Sequence, residues 1–140
     1  MTALTTANAQ ATFCATLVDE WIRDGVQFAY IAPGSRSTPL ALALSARPEI
    51  SVEVFIDERC AAFAALGVGK ATGFPAVALC TSGTASSHFS AAVAEASLSG
   101  VPLIVCTADR PPELRDVGAP QTINQTHLYG SSVRWFHDPG

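Results

Sequence analysis

Polar and charged residues recur at four points of the chain, each time directly after a short apolar run. The four segments are Pro33-Gly34-Ser35-Arg36, Asp57-Glu58-Arg59, Ser82-Gly83-Thr84 and Asp109-Arg110. A well-placed glutamate exchanges protons with a bound molecule. Arginine binds carboxylates through two parallel hydrogen bonds, which lysine does not. The segments therefore supply the residue types for an acid–base group and a carboxylate clamp.

Each segment also has a purely structural interpretation. Asp57 could cap a following helix, with Glu58 in the first turn where the helix dipole favours an acid. The Ser82-Gly83-Thr84 segment could be another N-cap, and Arg36 and Arg110 could be solvated loop charges. The residues alone leave these alternatives open.

Other motifs that carry chemistry are absent or misplaced. Gly67-Val68-Gly69-Lys70 falls inside a predicted helix and is followed by Ala71-Thr72, so neither a dinucleotide fingerprint nor a phosphate loop fits. No GxSxG motif occurs, which argues against a hydrolase elbow. The three histidines lie far apart, with no acidic or cysteine neighbour at ligand spacing, so no metal site is predicted in this segment.

Alternating helices and strands must position the four polar segments. Apolar periodicity and helix or strand termination signals predict the elements. Helices are predicted over residues 8–25, with Asn8 as N-cap and Gly25 as stop, and over 38–46, 59–70 and 83–98, the last stopped by Gly100. Strands are predicted over 27–32, 51–56, 76–81 and 101–107. An irregular stretch over 109–124, a short helix near Gln125 and a last strand over 133–136 complete the chain.

This order predicts an α/β fold with a parallel sheet covered by helices on both faces. Loops at the carboxyl ends of parallel strands form the ligand site in such folds. All four polar segments follow strands, so we expect them to meet at one edge. Residues 1–140 are interpreted as one domain. Since the chain ends in a turn directly after a predicted strand, we expect it to be a fragment of a longer protein.

Composition excludes several classes of protein. Hydrophobic residues make up 49% of the 140 residues and charged residues 14%, with net charge −4, which excludes disorder and a nucleic-acid surface. The longest uncharged run is interrupted by glycine, proline and serine, so no membrane span is predicted. Four cysteines lie in apolar runs without CxxC spacing, and we interpret them as buried, reduced thiols of a cytoplasmic protein.

Five segments resemble one enzyme family. They are APGSRSTPL (residues 32–40), FIDER (55–59), TSGTA (81–85), TADRPPEL (107–114) and GAPQTINQ (118–125). Together they are similar to the N-terminal part of the 2-succinyl-5-enolpyruvyl-6-hydroxy-3-cyclohexene-1-carboxylate (SEPHCHC) synthases, the thiamine-diphosphate enzymes of menaquinone biosynthesis. The resemblance covers residues 9–135. Its first and fourth motifs are specific to that family, whereas TSG is shared among thiamine-diphosphate enzymes.

The resemblance implies a pyrimidine-binding domain of a thiamine-diphosphate enzyme, incomplete at its C-terminus. It implies that Glu58 is the catalytic, cofactor-activating glutamate and that Ser82, Gly83 and Thr84 bind the cofactor with it. It further implies that the substrates contact Ser35, Arg36, Arg110 and Gln121. The cofactor's Mg²⁺ or Mn²⁺ would be held by a domain that this chain lacks. One departure is Pro120, which stands where the family often has asparagine, so a polar side-chain contact is lost.

The implied reaction decarboxylates 2-oxoglutarate and adds the remaining four-carbon unit to isochorismate, in a homodimer or homotetramer. Two alternatives stay open. An acetohydroxyacid synthase relative would keep Glu58 and the TSG motif but would have no reason for GSRS or ADRPPEL. A stand-alone binding module of the same fold would lack catalysis altogether.

Overall fold

The computed structural model describes the backbone of residues 6–139 and the side chains of residues 9–139. Its α-helices and strands alternate as the sequence predicts. The helices are α1 (Thr6–Arg23), α2 (Thr38–Ser45), α3 (Glu58–Thr72), α4 (Thr84–Ser87) and α5 (Ser90–Ser99), and the strands are β1 (Phe28–Ile31), β2 (Ser51–Val54), β3 (Val77–Cys80) and β4 (Ile104–Thr107). Single 3₁₀ turns span Ser35–Ser37, Pro112–Leu114 and Gly130–Ser132.

The four strands form one parallel sheet in the order β2-β1-β3-β4. Strand β3 is buried on both faces. Its Val77 and Leu79 join a core with Val18 of α1 and Leu44 of α2, whereas Ala78 and its alternate neighbours join a core with α3 and α5. Because side chains alternate across a strand, the two cores lie on opposite faces. The predicted parallel sheet with helices on both faces is confirmed.

The strand order creates a crevice between β1 and β3. From β1 the chain passes through α2 to β2 on one side, and from β3 it passes through α4 and α5 to β4 on the other. The loops after β1 and β3 therefore diverge at the carboxyl edge of the sheet. Such a topological switch point is where open α/β sheets bind ligands.

Local signals for helix ends are confirmed with one exception. Gly25 and Gly100 follow α1 and α5 with positive φ angles of 90° and 65°, a backbone conformation that glycine adopts without strain. Asp57 caps α3 by accepting a hydrogen bond from the Arg59 amide at 2.9 Å. The prediction that Asn8 caps α1 is wrong, because the helix already begins at Thr6.

Three predicted elements differ in the structure. The short helix predicted near Gln125 is a turn over residues 126–129, followed by the 3₁₀ turn Gly130–Ser132. The single helix over 83–98 is two helices separated at His88 and Phe89, whose amides donate to carbonyls three residues back rather than four. The strand over 133–136 is not formed. Val133 instead packs as irregular chain against the core of α3 and α5, so its apolar side chain is partly buried without strand pairing.

The cysteine prediction needs one correction. All four cysteines are free thiols, and Cys14 and Cys80 are buried, but Cys106 is half-buried and Cys60 is exposed. Cys60 lies in the first turn of α3, on a side that neither core covers. Within residues 6–139, no helix is long and apolar enough to cross a membrane.

Candidate functional site

At the switch point between β1 and β3, Gly34 closely approaches Thr81. Gly34 has an extended backbone (φ −175°), and a β-carbon added to it would lie 2.3 Å from Cβ of Thr81, which follows β3. No side chain fits at that distance. The close approach brings the Ser35-Arg36 turn next to the loop that carries Ser82 and Gly83.

The loop after β3 is joined to the distant residue Gln121 by two reciprocal hydrogen bonds. Ser82 Oγ donates to the Gln121 carbonyl at 3.0 Å, and Gln121 Nε2 donates to the Ser82 carbonyl at 3.1 Å. Gly83 has φ +82°, and a β-carbon there would lie 3.0 Å from Gln121 Cγ. Glycine is therefore required at position 83 both for its backbone conformation and for the close approach of Gln121.

Gln125 is the most extensively bonded side chain of this edge. Its side chain accepts a hydrogen bond from the Gly83 amide at 2.8 Å through Oε1. Through Nε2 it donates to Thr107 Oγ1 at 3.2 Å and to the Ala108 carbonyl at 3.0 Å. The residue is 7% exposed. Gln125 thus connects the ends of β3 and β4.

The end of β4 presents Arg110, held by contacts of its backbone and side chain. Its amide donates to Asp109 Oδ1 at 2.7 Å, and its Nη2 donates to the Pro120 carbonyl at 3.1 Å. Its Nε is buried without a hydrogen-bond partner among the described residues, so the guanidinium retains donor capacity. Arg115 holds Asp109 from the other side at 3.3 Å. Pro120 contributes to this edge through its carbonyl, a group that proline shares with asparagine.

Two neighbouring acids at the start of α3 have different surroundings. Asp57 pairs with Arg59 at 2.8 Å, and the hydrogen bonds from Arg59 lower the pKa of Asp57 to about 2. Glu58 is half-buried and forms no ion pair with any residue of 6–139. Burial, followed by the charge of Glu58, raises the pKa of the Cys80 thiol to about 12. Glu58 thus lies near the end of β3, and its carboxylate is not neutralised by a neighbouring cation.

The turn after β1 holds the remaining arginine of the candidate site. Ser37 Oγ donates to the Gly34 carbonyl at 2.9 Å, which stabilises the 3₁₀ turn Ser35–Ser37. Arg36 in this turn is half-buried and has no ion-pair partner within the described chain, and Ser35 is exposed. The turn places both residues at the carboxyl edge, beside the crevice.

Some of the predicted site residues contact one another in the structure, whereas others only share the same edge of the sheet. Ser82, Gly83 and Gln121 are in contact, and Arg110 reaches the same loop through Pro120. The others lie at the same edge without hydrogen bonds to that group: Ser35, Arg36, Glu58 and the exposed Thr84, which begins α4.

Sequence reasoning missed Gln125 and the close approach of Gly34. The sequence carried no signal for Gln125, because glutamine is ordinarily an exposed residue and Gln121 in the same segment is exposed. The partners of Gln125 are 17 to 42 residues away in sequence, so the pattern did not reveal what it binds. In the part of the chain that the structure describes, no cluster of His, Cys, Asp or Glu could hold a metal ion.

Comparison with protein families identifies the family to which the chain belongs. Residues 12–128 match the family described as "Thiamine pyrophosphate enzyme, N-terminal TPP binding domain". The match includes all four strands and every loop of the carboxyl edge described above.

Several relatives carry one name, 2-succinyl-5-enolpyruvyl-6-hydroxy-3-cyclohexene-1-carboxylate synthase. The relative from Bacillus pumilus is 55% identical over 91% of this chain and 22% of its own length. The relative from Thermobifida fusca is 56% identical over 95% of this chain and 24% of its own length. The relative from Haloarcula marismortui is 50% identical over 96% of this chain and 23% of its own length. The chain spans less than a quarter of these relatives.

Proposed function

Since the chain belongs to the thiamine pyrophosphate (thiamine diphosphate) enzymes through their N-terminal TPP-binding domain, we propose that it is the pyrimidine-binding part of a longer SEPHCHC synthase. The observation that carries this proposal is that Arg36, Glu58 and Arg110 each follow a parallel strand, at the carboxyl edge of one sheet. Relatives of that name, 50–56% identical to the chain, support the same activity.

Glu58 fits the requirement for a cofactor-activating group. The cofactor, when bound, supplies a nucleophilic carbon that cleaves and forms bonds next to carbonyl groups. The role proposed for Glu58 is to hydrogen-bond the N1′ atom of its pyrimidine and to exchange a proton there. The carboxylate of Glu58 is half-buried and not engaged by a cation of the described chain, so it remains available to do so. The neighbouring Asp57 is already used as a helix cap.

Residues after β3 would line the cofactor's surface. The position of a β-carbon on Gly83 is already occupied by the close approach of Gln121, and Ser82 and Thr84 flank Gly83. The Gly83 amide already donates to Gln125, so the expected contribution of Gly83 is backbone contact with the cofactor and not a hydrogen bond. We place the cofactor's diphosphate and its Mg²⁺ or Mn²⁺ on a part of the enzyme beyond this chain.

The arginines fit substrates that carry several carboxylates. Isochorismate and 2-oxoglutarate are both dianionic, and a guanidinium binds such groups bidentately. Arg36 and Arg110 lack ion-pair partners among residues 6–139, so both can take a ligand carboxylate without first losing a protein anion. Ser35 and Gln121 would add neutral hydrogen bonds beside them.

The edge near Glu58 is suited to being covered by a second subunit. Ile56, two residues before Glu58, is 92% exposed, and Val54 is 65% exposed. Contiguous exposed apolar surface marks protein–protein interaction sites. We propose that a homodimer or homotetramer buries these two side chains.

The test is an assay of the complete enzyme with defined substrates. With thiamine diphosphate and Mg²⁺, it should release CO₂ from 2-oxoglutarate and form SEPHCHC only when isochorismate is present, as followed by mass spectrometry. Carboligation of pyruvate instead would favour an acetohydroxyacid synthase relative. Cofactor binding without turnover on either substrate would favour a non-catalytic module and would overturn the proposal.

A further inference from the structure

We infer that Gln125 is a positioning residue for the substrate pocket, because its carboxamide sets the separation between the Gly83 loop and the strand end that carries Arg110. The inference rests on the proposed function for the identity of the pocket. Gln125 is not one of the residues proposed above to contact substrate or cofactor.

The carboxamide of Gln125 bridges segments that are distant in sequence. It accepts from Gly83, 42 residues earlier, and donates to Thr107 and Ala108, 18 and 17 residues earlier. These three hydrogen bonds connect the loop after β3 to the end of β4. The backbone connection between β3 and β4 ends with the Ala108 amide, which donates to the Cys80 carbonyl at 3.0 Å. Gln125 extends the connection from there to Gly83.

Only one orientation of the amide satisfies these partners. The Gly83 amide requires an acceptor and the Ala108 carbonyl requires a donor, so Oε1 must face Gly83 and Nε2 must face Ala108. Both hydrogens of Nε2 are used, one on Thr107 and one on Ala108. A side chain with its donors consumed and 7% exposure is suited to positioning and not to contacting substrate.

Both sides of the pocket depend on this bridge. Gly83 lies against Gln121, whose carboxamide is bonded to Ser82. Ala108 is followed directly by Asp109 and Arg110. Releasing Gln125 would therefore free the Gly83 loop and Arg110 to move relative to each other, and substrate affinity should fall before the chemical step does.

The change Gln125→Glu tests this with a nearly isosteric side chain. A protonated glutamic acid accepts from Gly83 and donates to Ala108, whereas a carboxylate has no hydrogen for Ala108 and faces its carbonyl oxygen. Burial favours the neutral form. We expect the KM for isochorismate to rise about tenfold or more near pH 8.5, with a smaller change in kcat, and to recover to within about threefold of wild type near pH 6.

A matched control separates this effect from other titrations. Gln10 is exposed on α1, so Gln10→Glu makes the same chemical change away from the site. Ionisable groups on the joined segments include Asp109 and Arg110 after β4, Cys80 and Cys106 within the strands, and His127 beside Gln125 in sequence. The control retains all of them. A general loss of folded enzyme would lower the apparent kcat and leave KM unchanged.

Hydrogen–deuterium exchange gives a readout that needs neither cofactor nor turnover. At about pH 8.5 the peptides that contain Gly83 and Ala108 should exchange faster in Gln125→Glu than in Gln10→Glu. If exchange changes as expected but the wild-type enzyme forms no SEPHCHC, the bridge stands and the proposed reaction fails. If the wild type is active and Gln125→Glu matches the control in KM, or in exchange, the positioning role is wrong.

A second variant covers the case in which Gln125→Glu does not fold. Thr107→Val keeps the shape of the side chain and removes one acceptor of the Gln125 amide. We expect a rise of about threefold in the KM for isochorismate and faster exchange in the peptide containing Gly83. A Thr107→Val enzyme with wild-type KM and wild-type exchange would overturn the inference by itself.

Discussion

The backbone of Gly34 lies so close to the side chain of Thr81 that a β-carbon on Gly34 would stand 2.3 Å from Thr81 Cβ and 2.8 Å from its Oγ1. The two residues follow β1 and β3, the strands on either side of the switch point. Their contact determines how near the Arg36 turn lies to the Gly83 loop. The width of the candidate site therefore depends on the absence of one side chain.

Replacing Gly34 with alanine should destabilise the protein by overpacking. The φ of −175° is accessible to alanine, so the cost arises from the clash with Thr81 and should be about 1–3 kcal/mol. Chemical denaturation measures it. The control is Gly67→Ala, since Gly67 lies in α3 with nothing within 4 Å of a β-carbon, and this change should stabilise by about 0.5–1 kcal/mol. An equal change in the free energy of unfolding for Gly34→Ala and Gly67→Ala would show that the contact with Thr81 is not tight.

Replacing Glu58 with glutamine should reduce turnover and preserve the fold. Glutamine is nearly isosteric but cannot exchange a proton, and a positioned acid–base group contributes about 10²–10⁴-fold in rate. Folding should change little, because an acid in the first turn of a helix contributes about 0.3–1 kcal/mol. Exchange of the cofactor C2 proton, followed by NMR after acid quench, should slow together with turnover.

The matched control for this variant is Glu53→Gln. Glu53 is exposed on β2, five residues before Glu58, and its replacement should leave both rates unchanged. Wild-type C2 exchange in the Glu58→Gln enzyme would show that Glu58 serves only as a first-turn acid of α3.

Replacing Arg36 with alanine should weaken the binding of substrate and not of cofactor. Loss of one partner of a buried charge pair costs about 2–4 kcal/mol, which corresponds to a fall of about 30- to 700-fold in kcat/KM for isochorismate. Arg36→Lys should be intermediate, since lysine keeps the charge without the bidentate geometry. Steady-state kinetics and calorimetric titration of thiamine diphosphate measure the two affinities separately.

Arg23→Ala supplies the comparison for the arginine variants. Arg23 is exposed in the last turn of α1 and pairs with Glu20 on the same helix. It should leave kcat/KM unchanged. A parallel loss of thiamine diphosphate binding in Arg36→Ala would mean that Arg36 supports the structure of the site and does not select the substrate.

Alkaline pH should destabilise the protein through the buried thiol of Cys80 and the half-buried thiol of Cys106. Burial raises the pKa values of Cys80 and Cys106 to about 12, whereas an unfolded cysteine titrates near 8.5. Between about pH 9 and pH 12 the unfolded chain loses these protons first, so the stability they contribute is lost as pH rises. The denaturant midpoint of the wild type should be lower at about pH 10.5 than at about pH 8. In Cys80→Ala the difference between the two midpoints should be smaller.

The same burial predicts the order of thiol labelling. At about pH 8 a thiol with a pKa near 12 is thiolate about one time in 10⁴, and the thiolate is the reactive form. Iodoacetamide should therefore modify the exposed Cys60 well before Cys80 or Cys106, as measured by peptide mass spectrometry. Labelling of Cys80 in the folded protein at a rate similar to that of Cys60 would contradict the packing of β3.

Much of the architecture follows from local features of the sequence. Continuous apolar runs such as VALC in β3 predict strands buried on both faces, and the glycines after α1 and α5 end those helices because they adopt positive φ without strain. Asp57 was recognisable as a cap from its position before α3. Because parallel strands end at one edge, the sequence also determined that Arg36, Glu58 and Arg110 lie on the same side of the sheet.

Contacts between distant segments were decided only by the tertiary structure. The order β2-β1-β3-β4 places Gly34 against Thr81, 47 positions apart in the printed sequence, and the same fold joins Gln125 to Gly83 and Ala108. Val133 packs against the core without forming its predicted strand. Periodicity and propensity report what a segment buries, but not which segment it meets. The pairing depends on the packing of all layers at once, so the width and the hydrogen bonding of the site became visible only in the folded chain.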